Sequence, residues 1–203
     1  MSGRRDAIRR SAVATGKGDD GTTGLLFGGG RRIAKDDPRT EAYGTVDEAV
    51  AALGLARAEL DPAGGGTDTR ELADLILRLQ RELFVVGAEL AADPARPDRL
   101  EDGVTRVSEV MLDDLETTLA AMESRVTMPR EFVVPGETRL SAALELARTI
   151  VRRAERRAVS LRREGLSAGE WLVPYLNRLA DLLWVLARVA EQVESKIAPP
   201  SRA

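Results

Sequence analysis

The chain has 203 residues, 43% of them hydrophobic and 31% charged, a balance that indicates one folded domain with loose ends rather than a disordered chain. Cysteine and histidine are both absent, which excludes disulfides, thiolate nucleophiles, imidazole general bases and the usual zinc and iron sites. The net charge of -3 gives no reason to expect nucleic acid as a partner, and no apolar run approaches the roughly 20 residues that span a membrane.

Residues 1–13 carry arginines but lack the apolar stretch of a secretory signal. We expect a flexible N-terminal segment on a soluble, cytoplasmic protein. The next segment, residues 14–37, is rich in glycine, which disfavours helix and permits tight turns. Backbone N–H groups in such a turn can bind phosphate, with Lys17, Thr22 and Thr23 as further donors. It is not a Walker A loop, because Lys17 is followed by Gly18. A mobile terminus remains an equal alternative.

Periodic apolar residues and turn signals then predict five helices, over residues 39–60, 69–92, 106–125, 137–164 and 168–195. Strand signals are almost absent. Five helices with short connections predict an all-α, five-helix bundle. We expect a single domain over residues 14–195, which includes the glycine-rich loop over residues 15–37 and is followed by a tail over residues 196–203.

The fourth predicted helix places polar groups beside its apolar stripe. Arg148, Arg152 and Glu155 share one line on the flank of the stripe, where a bundle partly buries side chains. An interhelical salt-bridge network and a ligand site explain this spacing equally well. Arg153 and Arg157 point away from the stripe, so on position alone we expect solvated arginines.

Two other helices repeat this arrangement. The fifth places four polar or aromatic residues on one line beside an apolar face: Asn177, Asp181, Trp184 and Arg188. In the first, Asp47 lies among apolar neighbours, and we expect it to pair with an arginine of another helix. Polar groups beside the apolar seam of three helices suggest a shared pocket.

Five segments together resemble the PduO-type ATP:cob(I)alamin adenosyltransferase family. They are GDDGTTGL (residues 18–25), EAYGTVDE (41–48), FVVPG (132–136), ARTIVRRAERR (147–157) and YLNRLADLLWVLAR (175–188). The resemblance covers residues 15–191. It implies a five-helix bundle that assembles as a homotrimer, with ATP held between neighbouring subunits. The family commonly reads Thr-Arg/Lys-Thr-Gly-Asp where this chain has Thr15-Gly16-Lys17-Gly18-Asp19, so its cation lies one position later.

The resemblance also implies a role for each matching residue. The loop would wrap the triphosphate of ATP, with Lys35 adding positive charge; its contact residues are Thr15, Gly16, Lys17, Gly18, Asp19, Thr22 and Thr23. An adjacent subunit would complete the nucleotide site with Arg152, Arg153, Glu155, Arg156 and Asn177. Glu155 would also help to hold Mg²⁺.

Three further roles concern the corrinoid. Phe132 would press against the lower face of the corrin ring. Arg148 would pair with Asp47 of the neighbouring chain, a link that shapes both the interface and the corrinoid site. With Arg152, this pair makes up the expected catalytic set.

The reaction implied by the resemblance transfers the 5′-deoxyadenosyl group of ATP to Co(I) of a reduced corrinoid, forming adenosylcobalamin and releasing triphosphate. The nucleophile belongs to the corrinoid, so a chain without His or Cys can catalyse it. A flavin-dependent reductase and an adenosylcobalamin-dependent enzyme are the partners implied. Two alternatives from other classes are a non-catalytic adenosylcobalamin or nucleotide carrier or sensor, and a structural bundle whose arginines serve only in salt bridges.

Overall fold

The computed structural model describes residue 11 and residues 13–60, 67–166, 169–194 and 196–201. The helices are α1 Pro38–Ala58, α2 Thr67–Ala91, α3 Glu109–Glu123, α4 Arg139–Arg163 and α5 Leu172–Val193. These confirm the five predicted helices, and every bound lies within four residues of the expected one. A single 3₁₀ turn, Pro97–Arg99, lies between α2 and α3. Residues 1–10 and 12 of the expected flexible segment lie outside the described residues.

The glycine-rich segment differs from the sequence expectation, because it contains two short strands. Strands β1 (Thr22–Gly24) and β2 (Arg32–Ala34) form an antiparallel pair in which Thr23 lies opposite Ile33. Gly21, with φ of +80°, turns the chain into β1, a conformation that residues with a side chain rarely adopt. The backbone groups of β1 and β2 therefore pair with each other. A strand of three residues is too short for its hydrophobicity pattern to be recognised in the sequence.

Side-chain caps set the starts of three helices. Asp37 accepts a hydrogen bond from the Arg39 N–H at 2.8 Å, and Pro38 occupies the first turn of α1, where no backbone donor is needed. Ser108 caps α3. Thr138 and Ser141 form a reciprocal capping box at the start of α4. These contacts satisfy backbone donors that a helix cannot pair internally.

Helix α4 lies at the centre of the bundle, against α1 on one side and α5 on the other, while α2 packs on α1 and α3 packs on α5. Its buried stripe includes the small residues Ala147, Ala154 and Ala158, which let the neighbouring helices approach closely at these positions. Among the described residues, no helix combines the length and apolarity needed to cross a membrane.

Glu89, near the end of α2, is a buried carboxylate that joins separate segments. It is 3% exposed, and its Oε2 accepts a hydrogen bond from the Val107 N–H at 2.7 Å. Burial raises its pKa from 4.5 to about 7, against the opposite effect of the Val107 bond. Between pH 4.5 and about 7, the folded protein therefore keeps a proton on Glu89 that the unfolded chain has already lost.

We expect the free energy of unfolding to fall as pH rises from about 5 to 8, because ionising the buried Glu89 penalises only the folded state. The two pKa values of 4.5 and about 7 correspond to roughly 3 kcal/mol. The chain contains no histidine that would titrate in this interval. Urea unfolding at several pH values checks this: Glu89→Gln should flatten the slope, whereas Glu109→Gln, an exposed control on α3, should not. An unchanged slope in Glu89→Gln would contradict the assignment.

Candidate functional site

Arg32 organises the glycine-rich loop. Its Nη2 donates to the backbone oxygens of Lys17, at 2.6 Å, and Thr22, at 3.0 Å, while its Nε donates to Thr22 Oγ1 at 2.6 Å. Thr22 in turn donates to Asp20 Oδ1, and these bonds hold the pKa of the Asp20 carboxyl below its ordinary value. Sequence reasoning missed Arg32; its position in a basic pair after the glycine run was the available signal.

Lys35 and Gly18, two of the predicted phosphate contacts, are neighbours in space. A Cβ built at Gly18 would lie 2.9 Å from Lys35 Nζ, so a larger residue there would displace the ammonium group. A side chain at position 18 would therefore require the flexible end of Lys35 to move. Of the other predicted loop contacts, Thr15, Gly16, Lys17 and Asp19 are exposed, and Thr22 and Thr23 are half-buried in or beside β1. The loop thus places an ammonium group beside a backbone turn in which the Asp19 and Gly21 N–H groups donate to oxygens within the loop.

The loop is fastened to the end of α2. Arg31 Nη1 lies 2.8 Å from the buried Asp93 carboxylate. The Leu26 N–H donates to the Ala91 oxygen, and the Asp93 N–H donates to the Leu26 oxygen, each at 2.9 Å. Because backbone pairing and an ion pair act at the same place, the loop has a defined position on the bundle.

The predicted residues on α4 and α5 form a second group. Asn177 Nδ2 donates to Glu155 Oε1 at 3.2 Å, which joins the two helices at their predicted polar lines. Arg156 donates to the backbone oxygen of Arg152 at 3.0 Å, and the Arg152 side chain is exposed. Within the described part of the chain, the Arg152 guanidinium forms no ion pair or hydrogen bond. Positive charge is therefore available beside a carboxylate and an amide.

Arg153 and Arg157 keep much of their side chains in solvent, with exposed fractions of 42% and 52%, as their position on the helical wheel predicts. Arg153 is half-buried and forms an ion pair with Glu48, and Arg157 lies 3.8 Å from Glu41. The helical wheel did not predict these exposed ion pairs, which form because α1 packs along this side of α4 and brings two acidic residues within reach. A helical wheel contains no information on which neighbour covers a polar face.

Among the described residues of one chain, Asp47 pairs with no arginine of another helix. Its side chain is exposed, and among the residues described it makes no ion pair. Arg148 instead donates from Nε to Glu145 Oε2 at 2.6 Å. Glu145 is one helical turn earlier on the same helix, so this pair forms without help from α1. Asp181, on the polar line of α5, pairs with Arg178 at 2.7 Å.

The two groups remain separate within one chain. Between the described residues of loop 15–37 and the group of Arg152, Glu155, Arg156 and Asn177, no hydrogen bond or ion pair forms. The part of the chain that the structure describes also holds no cluster of three or more residues able to bind a metal ion.

Phe132 is 87% exposed and lies in a segment that pairs with the end of the chain. The Val134 N–H donates to the Pro199 oxygen at 2.9 Å, and the Ser201 N–H donates to the Phe132 oxygen at 2.7 Å. Beside this pairing lies a cavity of about 550 Å³, with a largely apolar lining that includes Met128, Val133 and Ile197. An exposed aromatic ring next to an apolar cavity is an arrangement that accommodates a large flat ligand.

A second cavity, of about 830 Å³, lies between the end of α1, the start of α4 and the end of α5. Its lining mixes acidic and basic side chains, among them Glu59, Arg125 and Lys196. None of the predicted site residues lines it.

Comparisons with known proteins cover almost the whole chain. The family model described as cobalamin adenosyltransferase matches residues 13–190. A corrinoid adenosyltransferase of Citrobacter freundii is 40% identical over 179 residues, covering 88% of this chain and 94% of the relative. One of Mycobacterium tuberculosis is 40% identical over 193 residues, covering 91% of each.

Solved structures agree with these matches. A variant PduO-type ATP:corrinoid adenosyltransferase from Lactobacillus reuteri, complexed with cobalamin and ATP, has a TM-score of 0.80 and is 32% identical, covering 94% of this chain and 96% of that one. A second variant, complexed with ATP, has a TM-score of 0.78. The match in sequence over most of both chains, together with the shared helical fold, shows that this chain belongs to the cobalamin adenosyltransferase family.

Proposed function

We propose that the chain transfers the 5′-deoxyadenosyl group of ATP to Co(I) of a reduced corrinoid, with release of triphosphate. Membership of the family carries this proposal. In the reaction a Co–C bond forms at C5′ while the bond from C5′ to the triphosphate oxygen breaks. The electron pair comes from Co(I), so the protein need not deprotonate a nucleophile. Its tasks are to place C5′ in line with cobalt and to stabilise charge on the leaving triphosphate.

The loop over residues 15–37 supplies the first part of the nucleotide site in this proposal. Its backbone N–H groups and the Lys35 ammonium would bind phosphate oxygens, while Arg32 holds the turn in shape. Gly18 lets the ammonium approach the backbone closely. The fixed position of the loop on the bundle supports this role, because a loop that is already ordered loses less conformational entropy when it binds a ligand.

Arg152, Arg156 and Asn177 would complete the nucleotide site from an adjacent subunit. Their separation from the loop within one chain agrees with a site shared between subunits. Asp47, exposed and unpaired among the described residues, would meet Arg148 of the neighbouring subunit in a homotrimer. Sedimentation velocity measures this assembly directly.

Mg²⁺ fits the group around Glu155. The cation is commonly held in proteins by one or two carboxylates together with substrate phosphates. Asn177 occupies Glu155 Oε1, and Oε2 makes no hydrogen bond with the described residues. Glu155 would hold the cation there, and the cation would supply positive charge to the triphosphate. The cytoplasmic location and the two partner enzymes stay predictions.

A turnover assay tests the proposal. The chain is mixed with ATP, Mg²⁺ and cob(I)alamin under strong reductant, and the loss of Co(I) absorbance is followed together with triphosphate. We expect adenosylcobalamin and triphosphate to appear in equal amounts. Saturable binding of ATP and corrinoid without triphosphate would contradict the transferase and favour a carrier or sensor.

Phe132→Ala should slow adenosylation while leaving ATP binding intact. The ring is exposed, so its loss should change the free energy of unfolding by no more than about 0.5 kcal/mol. We expect the ring to exclude the lower axial ligand of cobalt, so the variant should lose the optical band of four-coordinate Co(II). Phe84→Ala is the matched control, because Phe84 is also exposed but lies on α2 away from the site. A normal four-coordinate spectrum in Phe132→Ala would contradict this role.

A further inference from the structure

A chain of four charged residues, three of them buried, connects α4 and α5. Arg148 Nε donates to Glu145 Oε2 at 2.6 Å, and Glu145 Oε1 lies 3.3 Å from Arg188 Nη2. Arg188 Nη2 also donates to Glu191 Oε1 at 2.8 Å. Glu145, Arg188 and Glu191 are 5%, 2% and 2% exposed. Sequence analysis placed Arg188 on the polar line of α5 but did not single out either glutamate.

The charges of the four residues cancel, which lets this group exist inside the bundle. An unpaired charge at such depth is strongly unfavourable, so each residue restrains its neighbours. The Arg188 guanidinium also lies 5.6 Å from the centre of the Trp184 ring. Glu145 is therefore held from the α5 side, and its second oxygen is left for Arg148.

Arg148 is engaged at one edge only. Its Nε is bound to Glu145, whereas Nη1 and Nη2 form no hydrogen bond with any residue that the structure describes. The side chain is 26% exposed, compared with 7% for Glu145. A guanidinium fixed at Nε presents its two Nη groups as a rigid pair of donors to a carboxylate or ligand outside the chain.

We propose that Glu145 is a positioning residue for Arg148, itself held in place by Arg188 and Glu191. This inference rests on the proposed function, in which Arg148 meets the neighbouring Asp47 beside the corrinoid. Glu145 fixes one edge of the guanidinium, so that the other edge is ready for its partner before the subunits or substrate meet. This preorganisation reduces the entropy lost when the site forms.

Glu145→Gln tests the proposal, because the amide keeps the shape and removes the charge. We expect kcat for adenosylation to fall roughly 10- to 100-fold, as for a misplaced catalytic group, with the KM for ATP unchanged. In an Arg148→Ala background, the same substitution should change kcat by less than about twofold, because Glu145 then has nothing to position. Effects that multiply in the double variant would overturn the inference.

Glu191→Gln is the matched control for structural damage. It disturbs the same buried group from the Arg188 side but does not contact Arg148. If the two variants lose the same thermal stability, Glu191→Gln should lower kcat less than Glu145→Gln does. An equal decrease in kcat in both variants would also overturn the inference.

Labelling with an arginine-selective dicarbonyl, read by peptide mass spectrometry, provides a readout independent of activity. Arg148 should react faster in Glu145→Gln than in the unaltered chain, while Arg152 should react equally in both. Unchanged labelling of Arg148 would overturn the positioning role. Absence of adenosylcobalamin with the unaltered chain would instead overturn the proposed function, which separates the two failures.

Discussion

Arg152→Ala should lower kcat/KM for ATP in adenosyl transfer by roughly 10²- to 10³-fold, the usual effect of losing one group that stabilises developing charge. The triphosphate gains negative charge as it leaves C5′. A guanidinium that forms no ion pair with the described residues is well suited to oppose that charge. The loss should raise the KM for ATP and lower kcat together, because phosphate is contacted both before and during bond cleavage.

The same substitution should leave the fold intact. Arg152 is exposed, its guanidinium forms no hydrogen bond with the described residues, and alanine retains the backbone oxygen that accepts from Arg156. We expect the free energy of unfolding to change by no more than about 0.5 kcal/mol. Steady-state kinetics with varied ATP, together with urea unfolding, measure both effects. Arg162→Ala, also exposed on α4, is the control and should keep full activity. An unchanged KM and kcat in Arg152→Ala would remove this residue from the site.

Arg39→Ala should have the largest effect on stability, about 3 kcal/mol or more. Arg39 is 4% exposed, and its guanidinium donates to three backbone oxygens, those of Leu90, Ala92 and Leu166. It therefore ties the start of α1 to the end of α2 and to the turn after α4. Burial lowers its pKa, with the neighbouring Asp37 and Asp93 acting in the opposite direction.

Removing the guanidinium would leave three backbone acceptors without their donor, two of them buried and one part-buried. The bonds to these acceptors hold together the end of the bundle that carries the loop. Thermal unfolding should show a decrease in Tm of roughly 6–12 °C for a chain of this size. Arg139→Ala is the control, because that side chain is 88% exposed and its ion pair with Glu59 is long, at 3.8 Å. If Arg39→Ala lowered Tm by less than about 2 °C, water would replace the guanidinium as donor with little loss of stability.

The helices could be predicted because each carries its own periodic signal. On α4, apolar residues recur at helical spacing, and Thr138 marks its start by a local cap. Such signals depend on neighbours within a few residues, so they are present in the sequence itself. The hairpin was missed for the opposite reason, since each strand has only three residues and its stability depends on pairing across the turn.

The residues of the candidate site were likewise predicted only in part. Motifs of the family identified Glu155 and Asn177, and the structure brings these two side chains within hydrogen-bond distance. Arg32 and Glu145 were not identified, because their importance depends on which distant group each one contacts. Nothing in the spacing of Arg153 indicated that its exposed guanidinium pairs with Glu48.

By itself, the sequence determined the all-α class, the number of helices and the absence of His and Cys chemistry, because these follow from composition and from periodicity within short segments. Its motifs also indicated the family. Only the tertiary structure decided which charges pair between helices, since a pair such as Arg188 and Glu145, or Arg153 and Glu48, forms according to which helix packs beside which. Burial then determined their consequences, because the cost of an unpaired charge depends on its distance from water, which is a property of the folded bundle.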